Sequence, residues 1–339
     1  MPSSTSASSD RRHWRAIWLL LAGCLLIALA AEATARLGFH RVSRIQRRFI
    51  TEYARARSVG AVGGRKHSVL VIGNSLLLQA VRFVRLQQTL SPEWQAERLV
   101  LERTSYYDWY YGLKRLLRDG ARPQAVVVVL TARQWVENEF RGDFASHYLV
   151  SARDLPDVSR DLGWSSTELA GSFVAHVSEF WAERAELRNF MLQRLVPGMD
   201  RLINVFTANP RLAPLSAAQI EPQLRARIAK LRDLVEANGA RLVVVVPPTP
   251  PISADDDGWL GVVRAAHALS VSMVEPQPPD AFSPAEYRDG FHLNESGSAR
   301  YTSLLIPELR QVLRTVRDAP VATSTTGQPA APALATIGH

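Results

Sequence analysis

Three residues have the types and spacing that covalent catalysis requires: Ser75, Asp289 and His292. A serine hydroxyl is a weak nucleophile until a base takes its proton, and the base needs a carboxylate to fix its tautomer. Asp289 stands three residues before His292, so one turn of chain can bring the carboxylate onto imidazole Nδ1. That leaves Nε2 free to face a hydroxyl. Ser75 follows Val69-Leu70-Val71-Ile72, which reads as a strand buried on both faces, and Gly73, which permits a tight turn. In open α/β sheets the carboxyl ends of strands are where ligands and chemistry collect. Asn74-Ser75 also reads as a plain helix cap. The distant Asp289-x-x-His292 is what favours the nucleophile.

Gly73-Asn74-Ser75 resembles the first block of the SGNH/GDSL hydrolase family, in a variant with Asn where Asp is more usual. Asp289-Gly290-Phe291-His292-Leu293-Asn294, with Gly297, resembles the last block. The resemblance covers residues 66–317 and keeps the family's order Ser…Asp…His. It implies a flavodoxin-like three-layer fold, a Ser75–His292–Asp289 triad and an acyl ester as substrate. For the oxyanion hole it implies the Ser75 N–H and a second-block donor, usually glycine, that falls here at Thr104-Ser105. The Ser105 N–H at a helix start is that donor, although Ser105 also reads as a simple cap. The third block, Gly-x-Asn-Asp, is replaced by Thr131-Ala132-Arg133-Gln134-Trp135, so its Asn donor is missing and Arg133 or Gln134 is left to substitute. Anchored members that this chain resembles work beside a membrane-bound O-acyltransferase on envelope polysaccharides. The implied substrate is therefore an acetyl or short acyl group on a glycan, with such an acyltransferase as partner. The altered third block keeps open a second expectation, an inactive module that binds glycan or scaffolds an envelope complex.

The elements that would position these residues alternate strand with helix. Strands are read at Ser68–Ile72, Arg98–Leu101, Ala125–Leu130, Arg241–Val246 and Val271–Glu275. A helix over Tyr106–Asp119 opens on a Ser105/Asp108 capping box and stops at Gly120; another runs from Ser216 to Asn238-Gly239. One more follows over Trp259–Leu269, and the last is capped by Ser296, with Pro307 kinking or restarting it. Without consecutive hairpin signals, this order predicts an α/β fold: a parallel sheet with helices on both faces. There is no Gly-x-Ser-x-Gly elbow. Residues 136–215 read as an insertion with helical signal over Ser172–Leu195. Asp143 and His147 lie early in it, as surface loop or pocket lining. Asn74, Gln134 and the aromatic run from Tyr106 are further candidates to line a pocket, the aromatics reading equally as core.

The chain has 339 residues, 47% hydrophobic and 21% charged, the composition of a globular protein. Its formal charge is +8, but the arginines are scattered and unaccompanied by aromatics, which argues against nucleic acid. After a Ser-rich, basic start (1–15), residues 16–36 are long and apolar enough for a bilayer span. A cleaved signal peptide ending near Ala33-Thr34-Ala35 and a lipobox at Leu21-Ala22-Gly23-Cys24 compete with an uncleaved anchor. Arg36, Arg41, Arg44, Arg47 and Arg48 after the span favour a cytoplasmic domain, whereas the short basic N-terminus and the resemblance favour export. Export from the inner membrane is the expectation adopted. Residues 37–65 read as a helix or linker, and 318–339 as a disordered tail. No metal-ligand cluster or glycine-rich phosphate loop is present, so no cofactor is expected.

Overall fold

A computed structural model describes residues 7–39, 43–60, 66–196, 198, 213–250, 253, 256–275, 277–278 and 280–318. The expected tail after 318, the Gly-rich end of the linker and part of the insertion lie outside the described residues. Five strands form one all-parallel sheet: β1 (His67–Gly73), β2 (Trp94–Val100), β3 (Ala125–Val129), β4 (Arg241–Val245) and β5 (Ser272–Val274). Their order, β2-β1-β3-β4-β5, is that of the flavodoxin-like doubly wound sheet. The chain reverses direction across the sheet between β1 and β3, so the crevice at their carboxyl ends opens at the end of β1.

Side-chain alternation along continuous apolar strands builds two cores at once. Leu70, Ile72, Val126, Val128, Leu242 and Val244 face one layer, while Val69, Val71, Val127, Val129, Val243 and Val245 face the other. The first layer holds α5 (Tyr106–Arg118) and, later in the chain, α11 (Ala217–Glu236) and α12 (Gly258–Ala268). The second holds α3 (Ser75–Ala80), α4 (Phe83–Leu90) and the long α13 (Glu295–Asp318). Pro307 neither ends nor restarts α13, which runs through it as one helix. Asn294, not Ser296, caps α13: its Oδ1 accepts the Gly297 N–H at 3.0 Å and its carbonyl the Ser298 N–H at 2.9 Å.

Three features refine the elements read in the sequence. β2 begins four residues before the expected Arg98, because Trp94 and Ala96 bury alternate positions between the polar Gln95 and Glu97. The segment after the apolar span carries α2 (Arg44–Arg57), packed on the domain with Phe49 and Ala56 buried. Glu52 on α2 accepts the Val100 N–H at 2.9 Å and Arg98 Nε at 2.7 Å, occupying the open edge of β2. The replaced third block forms the short α6 (Ala132–Val136), and the insertion folds as α7 (Asp143–Tyr148), α8 (Leu155–Leu162), α9 (Ser166–Val177) and α10 (Glu179–Leu195). Ser178 breaks the expected Ser172–Leu195 helix and caps α10, accepting the Trp181 N–H. Ahead of all this, α1 (Ala7–Thr34) is exposed along its apolar length and meets the domain at its C-terminal end, where Glu32 bonds Ser178 and the Glu179 N–H. Within it and the turn that follows, His13–Gly38 is the one helical stretch among the described residues long and apolar enough to cross a bilayer.

Candidate active site

Ser75 is the first residue of α3, directly after β1. Gly73 precedes it where a Cβ would stand 2.7 Å from the Val129 carbonyl, so the turn can hug β3 only with glycine there. Asn74 caps α3: Oδ1 accepts the Leu76 N–H at 3.0 Å, and Nδ2 donates to the Thr104 carbonyl at 2.9 Å. That second bond ties the loop after β1 to the loop after β2. The Ser75 N–H, at the first turn of a helix, has no partner among the described residues.

From the other end of the domain, the loop before α13 delivers His292. Tyr287 and Leu293 pair as an antiparallel bridge, and the Arg288 N–H donates to the His292 carbonyl at 2.8 Å. Asn294 Nδ2 donates to the Ala285 carbonyl at 2.6 Å, and its N–H to the Glu286 carbonyl at 2.8 Å. At Gly297 a Cβ would meet that same Glu286 carbonyl at 2.6 Å. Asn294 and Gly297 thus clamp the loop onto α13.

His292 Nε2 lies 3.0 Å from Ser75 Oγ, and His292 Nδ1 lies 2.8 Å from Asp289 Oδ2. Asp289 Oδ1 accepts the His292 N–H at 2.8 Å and the Phe291 N–H at 3.1 Å. Partial burial pushes the Asp289 carboxyl up, but these N–H groups and the imidazole hold it down at about 2. A carboxylate that is ionised at neutral pH and bonded to Nδ1 fixes a tautomer with Nε2 unprotonated and facing the hydroxyl.

The other residues singled out in the sequence do not join this line. The Ser105 N–H donates to Asp108 Oδ2 at 2.9 Å, and Ser105 Oγ to the Glu139 carbonyl at 2.8 Å. The expected second oxyanion donor is therefore committed to its own capping box. One residue earlier, the Thr104 N–H has no partner among the described residues, and it follows Arg103, a non-glycine at φ 59°. Arg133 donates to the Ala213 carbonyl, and Gln134 Oε1 accepts the Thr131 N–H at 2.9 Å in a second capping box. Neither bonds to Ser75. Tyr106 is buried core, stacked on Tyr110 and overlain by the Arg227 guanidinium. Asp143 pairs with Arg184 of α10, and His147 Nδ1 lies 2.8 Å from the Ala175 carbonyl, holding the insertion together. Asn74 is buried and fully employed as a cap.

Sequence reading did not single out the surroundings of the imidazole. Phe291 is exposed and meets the His292 ring edge-on, with centroids 5.2 Å apart. A cleft of about 620 Å³, lined by Pro250, Phe282, Pro284, Tyr287 and Gly290, adjoins the same loop. Its signal was an apolar residue set between Asp and His, and the proline run after β4.

The fold and the site define a three-layer α/β chain with a hydrogen-bonded Asp–His–Ser line at the carboxyl edge of its sheet. No protein-family model matches the chain, and no curated protein matches it in sequence. Solved structures similar to it include a putative acylhydrolase from Bacteroides fragilis at 11% identity, covering 80% of this chain and 97% of that one, with a TM-score of 0.39. A GDSL-like lipase from Bacteroides thetaiotaomicron is similar at 12% identity, 79% and 97% coverage and a TM-score of 0.39. A catalytic mutant of an acetylxylan esterase from Geobacillus stearothermophilus is similar at 12% identity, 73% and 95% coverage and a TM-score of 0.38. These likenesses are distant, and the chemistry proposed below rests on the geometry of the chain itself.

Proposed function

We propose that this chain is a membrane-anchored SGNH-type serine esterase or O-acyltransferase acting on acyl, foremost acetyl, esters of cell-envelope glycans. The observation that carries the reading is the Asp289–His292–Ser75 hydrogen-bonded line. In this mechanism Ser75 Oγ attacks the ester carbonyl carbon while His292 Nε2 takes the hydroxyl proton. Asp289 holds the resulting imidazolium through Nδ1–H. The Ser75 N–H receives the oxyanion, and the Thr104 N–H is the second donor in place of Ser105. Collapse breaks the ester C–O bond, and His292 returns the proton to the leaving oxygen. The acyl-Ser75 ester is then attacked by water, giving hydrolysis, or by a glycan hydroxyl, giving transfer. The cleft beside Gly290 would receive the acyl group or its carrier. The glycan, the envelope location and a membrane-bound acyltransferase partner follow from the sequence resemblance. The anchor follows from the apolar span His13–Gly38.

A second reading, an inactive glycan-binding module, is favoured by one observation: two expected oxyanion donors, the third-block Asn and the Ser105 N–H, are absent or committed. Release of acetate from 4-nitrophenyl acetate and from an O-acetylated glycan, by full-length chain in detergent, separates the two. The enzyme reading predicts turnover that Ser75→Ala and His292→Ala each abolish. Wild-type release equal to that of Ser75→Ala would leave the binding module.

A further inference from the structure

Among the described residues, exposed large apolar side chains besides those of the α1 span concentrate in one place. Outside residues 13–38, nine of them lie between Phe173 and Val196, against three elsewhere among the described residues, Ile50, Val84 and Phe291. On α9, Phe173, Val174 and Val177 share a face at i, i+1 and i+4. On α10, Phe190, Met191 and Leu195 are exposed in the last two turns. A soluble surface rarely gathers side chains of this size.

The same two helices meet the end of α1. Glu32 Oε2 accepts Ser178 Oγ at 2.7 Å and the Phe180 N–H at 3.1 Å, and Oε1 accepts the Glu179 N–H at 3.0 Å. The α1 carboxylate therefore covers the free N–H groups that open α10. Arg36 Nη2 donates to the Val177 carbonyl at 3.2 Å. The α9–α10 junction is thus fixed to the last two turns of the apolar span His13–Gly38, beside the bilayer–water boundary where that span ends. Trp181 lies exposed at this junction, its ring 4.2 Å from the guanidinium of Arg184, which also pairs with Asp143, and an exposed indole is a side chain suited to the membrane interface. Arg188 and Arg194 add exposed positive charge along α10.

We infer that α9 and α10 form a second membrane contact: a monotopic surface that lies in the interface of an anionic bilayer beside α1 and fixes how the domain sits over it. The inference rests on α1 spanning the bilayer. Two contacts, one through and one along the membrane, would hold the Ser75 edge of the sheet at a constant height and tilt.

Site-directed spin labelling tests this, because the chain has a single cysteine, Cys24, within α1. Full-length chain is placed in nanodiscs of phosphatidylcholine with phosphatidylglycerol. Nitroxides are attached at Cys24 itself, or, in a Cys24→Ser background, at Val177→Cys, Met191→Cys, Leu195→Cys and the distant Val84→Cys. Oxygen, which concentrates in acyl chains, competes with a water-soluble nickel chelate as relaxant. The expected result is an oxygen-to-nickel ratio at 177, 191 and 195 several-fold above that at 84. Nickel access at all three while Cys24 reads acyl chains would overturn the inference and leave the anchor standing. Shielding of all three from both relaxants would overturn it too, showing protein in place of lipid. Nickel access at Cys24 would remove the anchor, and the inference with it.

Discussion

Ser75 Oγ and His292 Nε2 meet at 3.0 Å because small residues let backbone approach backbone on either side of them. Gly73 lets the turn after β1 hug β3, and Gly297 lets the histidine loop lie against α13. Adding a methyl at Gly73, by Gly73→Ala, forces a Cβ to within 2.7 Å of the Val129 carbonyl. Overpacking of this kind costs about 1–3 kcal/mol. The variant should melt lower, read by calorimetry, and lose serine reactivity as well. Asp289→Asn keeps the shape but reverses the demand on Nδ1, which then must accept. Loss of the correct tautomer in a triad costs about 10⁴-fold in turnover, and a loss of that order is expected here in acetate release. The convergence of Ser75, Asp289 and His292 was legible from residue type and spacing. The fate of Ser105 was not. The capping box itself was visible, but in such a box the third-residue carboxylate takes the N-cap N–H, so the motif consumes the donor assigned to catalysis. Phe291 and the cleft were hidden because they depend on how distant loops meet.

At the scale of elements, the loop clamp and the α5 start carry separate predictions. Gly297→Ala would displace the Glu286 carbonyl, 2.6 Å from the new Cβ, and with it the loop that ends at His292. Acetate release should fall more steeply than thermal stability does, because the sheet is untouched; equal loss of both would contradict the clamp. Asp108 lies fully buried in the first turn of α5, and burial pushes its carboxyl from 3.8 up to about 7, against the Ser105 and Arg141 N–H bonds that pull it down. Between those values the folded chain keeps a proton that the unfolded chain has released. Stability therefore falls as pH rises through that window and levels off above it. Asp108→Asn should flatten that decline in Tm. Glu137, by burial first and by Glu139 second, and Glu183, by burial first, are also pushed up to about 7, so part of the slope remains. Sequence periodicity carried the element order well, since buried parallel strands are continuous apolar runs. It shortened β2, whose edge position admits Glu97 and Arg98. It placed the α13 cap at Ser296, although Asn294 two residues earlier serves helix and loop together.

For the whole molecule, the span, α2 and the domain are linked in series. Phe49 and Ala56 of α2 are buried in the larger core, and Glu52 bonds the β2 backbone. A chain begun at Ser43 should keep the cooperative melting of the full domain, whereas one begun at Lys66 should lose it or aggregate, as read by circular dichroism. In the sequence the α2 segment reads as a helix or linker, because its partner, an open sheet edge, exists only once the strand order is set. An activated Ser75 is reported directly by a fluorophosphonate probe, whatever the natural acyl group. Full-length chain in detergent should gain the mass of one phosphonyl group, mapped by peptide fragmentation to Ser75, and His292→Ala should abolish the adduct. A folded wild-type chain that gains no mass, or gains it at another serine, would contradict the account.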